Sequence, residues 1–250
     1  MKTTPPLIVE LVGPAGVGKT TLAQNLSQSS SKIAVVKQPY FRNIKDIPFF
    51  TRNTLELLPT LIRLLRIKNE KWLTLNEIAW MVILNGWHRN LIQLDSSSIS
   101  VAILDQGPIY SLGGLYNFGS ERLRDKALQK WWEKMYHIWG SVLNLVIWLD
   151  ASDPILVKRI YDRQTWHTTK DMTEAQAYDF LASSRASYEQ AFTALGSKNR
   201  GPRMLKFNTS KESSNEIKDR LLIEFNLKDP KDNLQVPAQA ISQLTTPTNQ

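Results

Sequence analysis

Gly13-Pro14-Ala15-Gly16-Val17-Gly18-Lys19-Thr20 decides how this chain is read. It fits G-x-x-x-x-G-K-[ST], the phosphate-binding loop pattern. The run before it, Leu7 to Val12, is short, apolar and β-rich, and reads as a buried strand. Thr21-Leu22-Ala23-Gln24-Asn25-Leu26 can continue as a helix. Each residue type has a physical reason. Glycines let the backbone curl until its N–H groups converge on an anion. The helix N-terminus adds roughly half a positive charge at the same point. Pro14 narrows the loop's freedom before binding. Lys19 is placed to reach the β- and γ-phosphates of a nucleoside triphosphate such as ATP, and the Thr20 hydroxyl to ligate Mg²⁺. The whole stretch Gly13 to Thr21 is the expected nucleotide-binding segment.

Composition sets bounds around this motif. The chain has 250 residues, enough for one large α/β domain. It is 42% apolar and 22% charged, ordinary for a globular protein. With no cysteine, disulfides, thiolate zinc sites and cysteine nucleophiles are excluded. That fits a reducing compartment. Glu10 interrupts the first apolar run, so no signal peptide is expected. No run approaches the ~20 apolar residues of a membrane helix. The expected location is therefore the cytoplasm, with no membrane partner. The formal charge of +8 has two readings, a solvated basic surface or a site for polyanionic substrates. Nucleic-acid binding is disfavoured, because Lys and Arg are dispersed and no DNA- or RNA-binding signature is present.

The rest of the chain extends a three-layer parallel sheet. Lys32 to Val36 reads as the second strand and Ser100 to Asp105 as the third. Val142 to Asp150 is the fourth and Met204 to Asn208 the last. Residues 40–98 read as a helical insertion. Asn53 or Thr54 is expected to cap its first helix, and Thr74 with Glu77 the second as a capping box. Trp87, His88 and Arg89 either line a substrate pocket or are core aromatics beside a solvated charge. The third strand stops on Asp105, which either holds Mg²⁺ as a Walker-B-type aspartate or simply suits the turn that follows. A helix is expected over 120–139, ended by Gly140. Pro154 opens a further helix carrying Lys158, Arg159 and Arg163. Arg159 and Arg163 lie four apart on one face, and spacing alone leaves open a solvated basic face. A long helix spans about 173–195 and a closing helix about 213–226. The polar, Pro-, Gln- and Thr-rich stretch 229–250 is expected to be a disordered tail.

Taken together, these pieces resemble the P-loop kinase group that includes thymidylate kinase and the deoxynucleoside kinases. Besides the phosphate loop, Val146 to Asp150 resembles the strand before that group's lid helix. Lys158-Arg159-Ile160 with Arg163 resembles its lid arginines, and Arg185-Ala186-Ser187-Tyr188 its Arg-x-x-Tyr. Phe207 to Ser210 with Asn215-Glu216-Ile217 resembles its last strand and closing helix. The resemblance implies one kinase domain over 1–228 with a lid at about 155–172, and a parallel sheet of about five strands. It implies an ATP- and Mg²⁺-dependent phosphotransferase acting on a small acceptor. Lys19, Asp105, Arg159 and Arg163 would serve the transfer, and Thr20 and Asp105 the metal. It also allows a homodimer. The acceptor side departs from the group. Gln38 stands where it has an acid, Gln106 follows Asp105 where it has arginine, and Ala15 replaces a loop acid. Its substrate-phosphate arginine has no counterpart in register. Asn85 is near that place, and Arg89 lies one turn later. These departures keep a second reading open, a nucleotide-binding switch without transfer chemistry.

Overall fold

A computed structural model describes residues 5–65, 72–164, 167–196 and 201–227. The tail expected at 229–250 and residues 165 and 166 of the expected lid lie outside them. The chain alternates as the phosphate-loop reading requires. Strand β1 (Leu7–Val12) leads through the loop into helix α1 (Lys19–Ser29), then β2 (Ile33–Val35). Helices α2 (Ile47–Leu65) and α3 (Leu75–Ile92) precede β3 (Val101–Leu104). Then come α4 (Pro108–Phe118), α5 (Gln129–Val142), β4 (Leu145–Asp150), α6 (Asp153–Tyr161), α7 (Glu174–Gly196), β5 (Arg203–Asn208) and α8 (Ser214–Glu224).

The five strands are parallel, in the order β2-β3-β1-β4-β5. Strand alternation divides the core in two. Ile8, Val12, Ala102, Leu104, Val146 and Trp148 face α2 to α5 and the C-terminal half of α7. Val9, Leu11, Ile103 and Ile147 face α1, α6, α8 and the N-terminal half of α7. Both sheet faces are covered, which is why β3 and β4 read as continuous apolar runs rather than alternating ones, and β1 does so but for Glu10. Trp87, Trp131, Trp132, Trp139 and Trp148 are buried in the first of these cores.

Three sequence expectations need correction. Neither Asn53 nor Thr54 caps α2, which starts at Ile47 behind a 3-10 turn capped by Asn43. Asn53 lies buried inside the helix, its Nδ2 donating to Phe49 O at 2.7 Å. Gly140 does not end a helix. It lies within α5, where a Cβ would come 2.5 Å from the Leu195 carbonyl of α7, so it is a close-approach glycine between crossing helices. Finally, 120–139 is not one helix. Two 3-10 turns at 121–124 and 126–128 precede α5, and before them stands α4, where the sequence marks only a turn directly after Asp105. The capping box of α3 is present as expected: the Thr74 hydroxyl accepts from Glu77 N and the Glu77 carboxylate from Thr74 N.

Candidate active site

The phosphate loop lies at the carboxyl ends of the parallel strands, where ligands of open α/β sheets bind. Its conformation demands glycine. Gly13 has φ 147°, and a Cβ there would come 2.1 Å from the Leu149 carbonyl of the adjacent strand. Gly18 caps α1 with φ 96°, left-handed backbone that side chains resist. The Lys19 ammonium turns back on the loop, donating to Gly13 O at 2.7 Å and Pro14 O at 3.1 Å. Burial lowers its pKa to about 8; the Asp105 charge opposes that shift and Arg163 adds to it.

Thr20 and Asp105 come together across the β1–β3 pair. The Thr20 hydroxyl donates to Asp105 Oδ2 at 2.7 Å. Asp105 Oδ1 is buried without a hydrogen-bond partner. An exposed hydroxyl beside a carboxylate with one free oxygen suits a hard cation that completes its shell with phosphate oxygens and water. No cluster of three or more His, Cys, Asp or Glu side chains offers another metal site among the described residues.

A cleft of about 790 Å³ opens from the loop and is lined there by Gly16, Lys19, Thr20, Asp105 and Arg163. Farther in, Trp80, Tyr110, Phe118, Phe180 and Tyr188 line it. Their rings are in contact: Trp80 with Tyr110 at 5.7 Å, Tyr110 with Tyr188 at 6.1 Å, and Phe118 stacked on Phe180 at 6.2 Å. On the other flank of the loop, a pocket of about 370 Å³ is lined by Val17, Thr21, Arg159, Arg163, Thr209 and Glu212.

The two arginines expected together thus part company. Arg163 borders both cavities. Arg159 borders only the smaller one, where its guanidinium donates to Thr209 Oγ1 at 3.0 Å and Thr209 O at 2.9 Å. Ala15 lines the cleft, Val17 packs into the core, and the Pro14 carbonyl serves Lys19. Arg185 faces neither cavity. It ties β4 to α6, bonding Asp150 at 3.0 Å and Asp153 at 2.6 Å.

Trp87, His88 and Arg89 border neither cavity; the core reading holds for the aromatics, while Arg89 is ion-paired rather than solvated. Trp87 is buried edge-on against Trp139, burial lowers the His88 pKa, and Arg89 pairs with Glu56 at 2.9 Å. Asn85 joins that same network, donating to Glu56 at 3.3 Å.

Sequence reading missed Glu10, Trp80, Tyr110, Phe118, Phe180 and His167. Glu10 is wholly buried in the central strand. Its carboxylate accepts from Ile109 N and Tyr110 N, each at 3.0 Å, and so caps α4, which has no local side-chain cap. Burial pushes its pKa up to about 8 against the pull of those N–H groups. A Cβ on Gly107 would meet the Glu10 carboxyl carbon at 2.4 Å, so glycine there lets the carboxylate reach the helix. A charged residue breaking an apolar strand was the available signal for Glu10. Tyr110 and Phe118 had none, because α4 itself was not recognised, and Trp80 and Phe180 lie on expected helices with no spacing that marks them as cleft-lining.

No protein-family model and no curated protein matches the sequence. Solved structures do match. The fold is similar to that of thymidylate kinase from Candida albicans, which aligns with a TM-score of 0.50 at 15% identity, over 89% of this chain and 92% of that one. Deoxyadenosine kinase from M. mycoides with bound dATP aligns with a TM-score of 0.47 at 14% identity, over 88% of this chain and 100% of that one.

Proposed function

We propose that this chain is an ATP- and Mg²⁺-dependent phosphotransferase that moves a phosphoryl group to a hydroxyl of a small, uncharged, ring-bearing acceptor. One observation carries the reading. A single cleft has Lys19, Thr20, Asp105 and Arg163 at one end and five aromatic side chains at the other. The loop amides and Lys19 hold the phosphates, and the smaller pocket beside Arg159 and Thr209 takes the base. Thr20 and Asp105 would hold Mg²⁺, which when bound neutralises charge on the β- and γ-phosphate oxygens.

Transfer then needs positioning and positive charge more than covalent help. Asp105 orients the acceptor hydroxyl, whose proton passes to an oxygen of the phosphoryl group in transfer. The acceptor oxygen bonds to the γ-phosphorus while the bond to the β–γ bridging oxygen breaks, and ADP leaves with that electron pair. Arg163, bordering both cavities, stands where charge builds up.

The acceptor's class follows from what lines the inner cleft. Among the described residues, its cations are Lys19 and Arg163, both at the loop end. Nearby arginines are engaged elsewhere: Arg122 with Leu64 O, Arg124 with Tyr116 O. A phosphate on the acceptor would lie unpaired among aromatic rings, a costly burial. A flat, neutral ring suits them instead. A chain without cysteine fits the reducing cytoplasm, where ATP and such acceptors meet.

Thermal stability tests this directly. Mg²⁺ plus ATP should raise the melting temperature, since ligand at ~100 times its Kd stabilises by about 2.7 kcal/mol. An uncharged nucleoside should add a further shift that its monophosphate does not. ADP and phosphorylated product should then form in equal amounts. Nucleotide binding with no acceptor consumed would instead support the switch reading.

A further inference from the structure

We propose that His167 is a neutral hydrogen-bond donor to the terminal phosphate of the bound triphosphate, acting through Nε2–H. The inference rests on the phosphotransferase reading and adds a residue that no motif marks. His167 opens the 3-10 turn Thr168–Asp171 and lines the main cleft together with Lys19 and Arg163. Its Nδ1 accepts from the Thr169 backbone N–H at 3.2 Å and sits 2.8 Å from Thr169 Oγ1. A ring nitrogen that accepts from a backbone N–H carries no proton of its own. The neutral ring must therefore hold its proton on Nε2. The edge of the ring packs on Phe180, centroids 6.1 Å apart at 75°, which fixes its orientation.

The surroundings keep the ring neutral. Lys19 comes from α1, Arg163 from the segment after α6 and Lys170 from its own turn. From α7 the lining residues are Phe180, Ser184 and Tyr188. Burial foremost, then those three cations, hold the pKa below the ordinary histidine value. Asp105 bonds Thr20 through Oδ2, both Glu77 oxygens accept from Thr74 and Ser120, and no carboxylate is among the charges that shift the ring. A protonated ring would also set an Nδ1–H against the Thr169 N–H.

Position gives the inference its sharpest consequence. His167 borders the main cleft and not the smaller pocket across the loop. With the base in the smaller pocket, only the far end of the phosphate chain comes within reach of Nε2. The triphosphate meets His167, and the diphosphate stops short.

The full chain should be titrated with Mg²⁺ and either ADP or a non-hydrolysable ATP analogue. His167→Ala is expected to weaken the analogue about tenfold, the loss of one good hydrogen bond to a charged group, and to leave ADP within about twofold. His167→Gln, whose amide N–H reaches the place of Nε2, should recover most of the loss, and His167→Asn should not. Nitrogen NMR of the wild-type ring should show the Nε2–H tautomer through neutral pH, with and without the analogue. Equal losses for both nucleotides, no loss for either, Asn rescuing as well as Gln, or a charged ring in the complex would each overturn the assignment. If the wild type binds neither nucleotide, the phosphotransferase reading falls and this inference with it. If wild type and His167→Ala bind both equally, only the role of His167 falls.

Discussion

Thr20 and Asp105, 85 residues apart in sequence, are joined by a 2.7 Å hydrogen bond from hydroxyl to carboxylate at the mouth of the cleft. The bond depends on β1 and β3 being paired neighbours, so that the loop after one strand meets the turn after the other. Thr20→Ala and Asp105→Asn should both leave the fold intact, since Thr20 is exposed and Asn preserves shape. Both should reduce the gain in nucleotide affinity on adding Mg²⁺, read as the ratio of Kd in EDTA to Kd in Mg²⁺. Asp105→Asn should also lower turnover by roughly 10²-fold or more, the scale seen when one electrostatic group is removed from a preorganised site. An unchanged Mg²⁺ ratio in both variants would remove the metal role from this pair.

Lys19 gives the site a pH signature. In the free protein its pKa is lowered to about 8, chiefly by burial. Phosphate binding favours the ammonium form, so affinity for ATP should be flat below neutral pH. It should fall as pH rises through about 8, by at most tenfold per unit. Lys19→Met should bind more weakly at every pH and lose this fall. Titrations at a series of pH values from 7 to 9.5 would show it. A wild-type affinity that stays level to pH 9.5 would mean that another group holds the phosphates.

Glu10 should appear in stability rather than in binding. Its folded pKa, about 8, lies above the ordinary 4.5, so the folded chain keeps a proton that the unfolded chain releases between those values. The stability due to the neutral form is therefore complete below pH 4.5 and is lost as pH rises to about 8. Glu10→Gln cannot ionise, but its amide NH2 replaces one of the two oxygens that accept from Ile109 N and Tyr110 N, so the variant starts below wild type near pH 5. Between pH 5 and pH 8.5 the difference should move in the variant's favour by ~1–3 kcal/mol, measured by urea denaturation. A difference that does not change with pH would show that Glu10 does not titrate in this range.

How much of this was legible in the sequence depends on the reach of each interaction. The phosphate loop could be read because its glycines, lysine and threonine are contiguous and their strand and helix flank them. The capping box of Thr74 and Glu77 could be read for the same reason, with three residues between cause and effect. Helix α4 could not. Its first N–H groups are satisfied by Glu10, a hundred residues away, and Gly113 and Gly114 weaken its local signal. Gly140 resembles a helix stop but is an approach point for the Leu195 carbonyl, a contact that exists only once α5 and α7 have packed. Arg159 and Arg163 share a helix-like spacing. The backbone leaves helical form between them, so only Arg163 reaches the main cleft. Asn53 fits a cap by type, and burial against Arg89 explains it instead.

The aromatic half of the cleft can be tested apart from the phosphate half. Trp80 lines the inner cleft, and a Cβ on Gly114 would meet its ring at 2.8 Å, so a glycine gives the indole its place. Trp80→Ala removes ring contact but touches nothing at the loop. The KM for the acceptor should rise about tenfold or more, with Kd for ATP unchanged, because base stacking on an aromatic ring contributes ~1–3 kcal/mol. Equal effects on acceptor and ATP would place Trp80 in the general packing of the domain.

Arg185 links stability to the position of Arg159. Its guanidinium spans Asp150 at the end of β4, the Ala151 carbonyl at 3.0 Å, and Asp153 in the first turn of α6. That fork fixes the angle at which α6 leaves the sheet, and α6 carries Arg159 to the smaller pocket. Lysine has one point charge and cannot make the same set of bonds. Arg185→Lys should therefore behave much like Arg185→Ala. Both should lose ~1–3 kcal/mol of stability, because two partly buried carboxylates are left under-paired. Both should weaken ADP as much as ATP, since the base side of the site moves while the far end of the phosphate chain does not. A lysine variant with wild-type melting temperature and nucleotide affinity would reduce this bridge to a surface ion pair with no hold on α6.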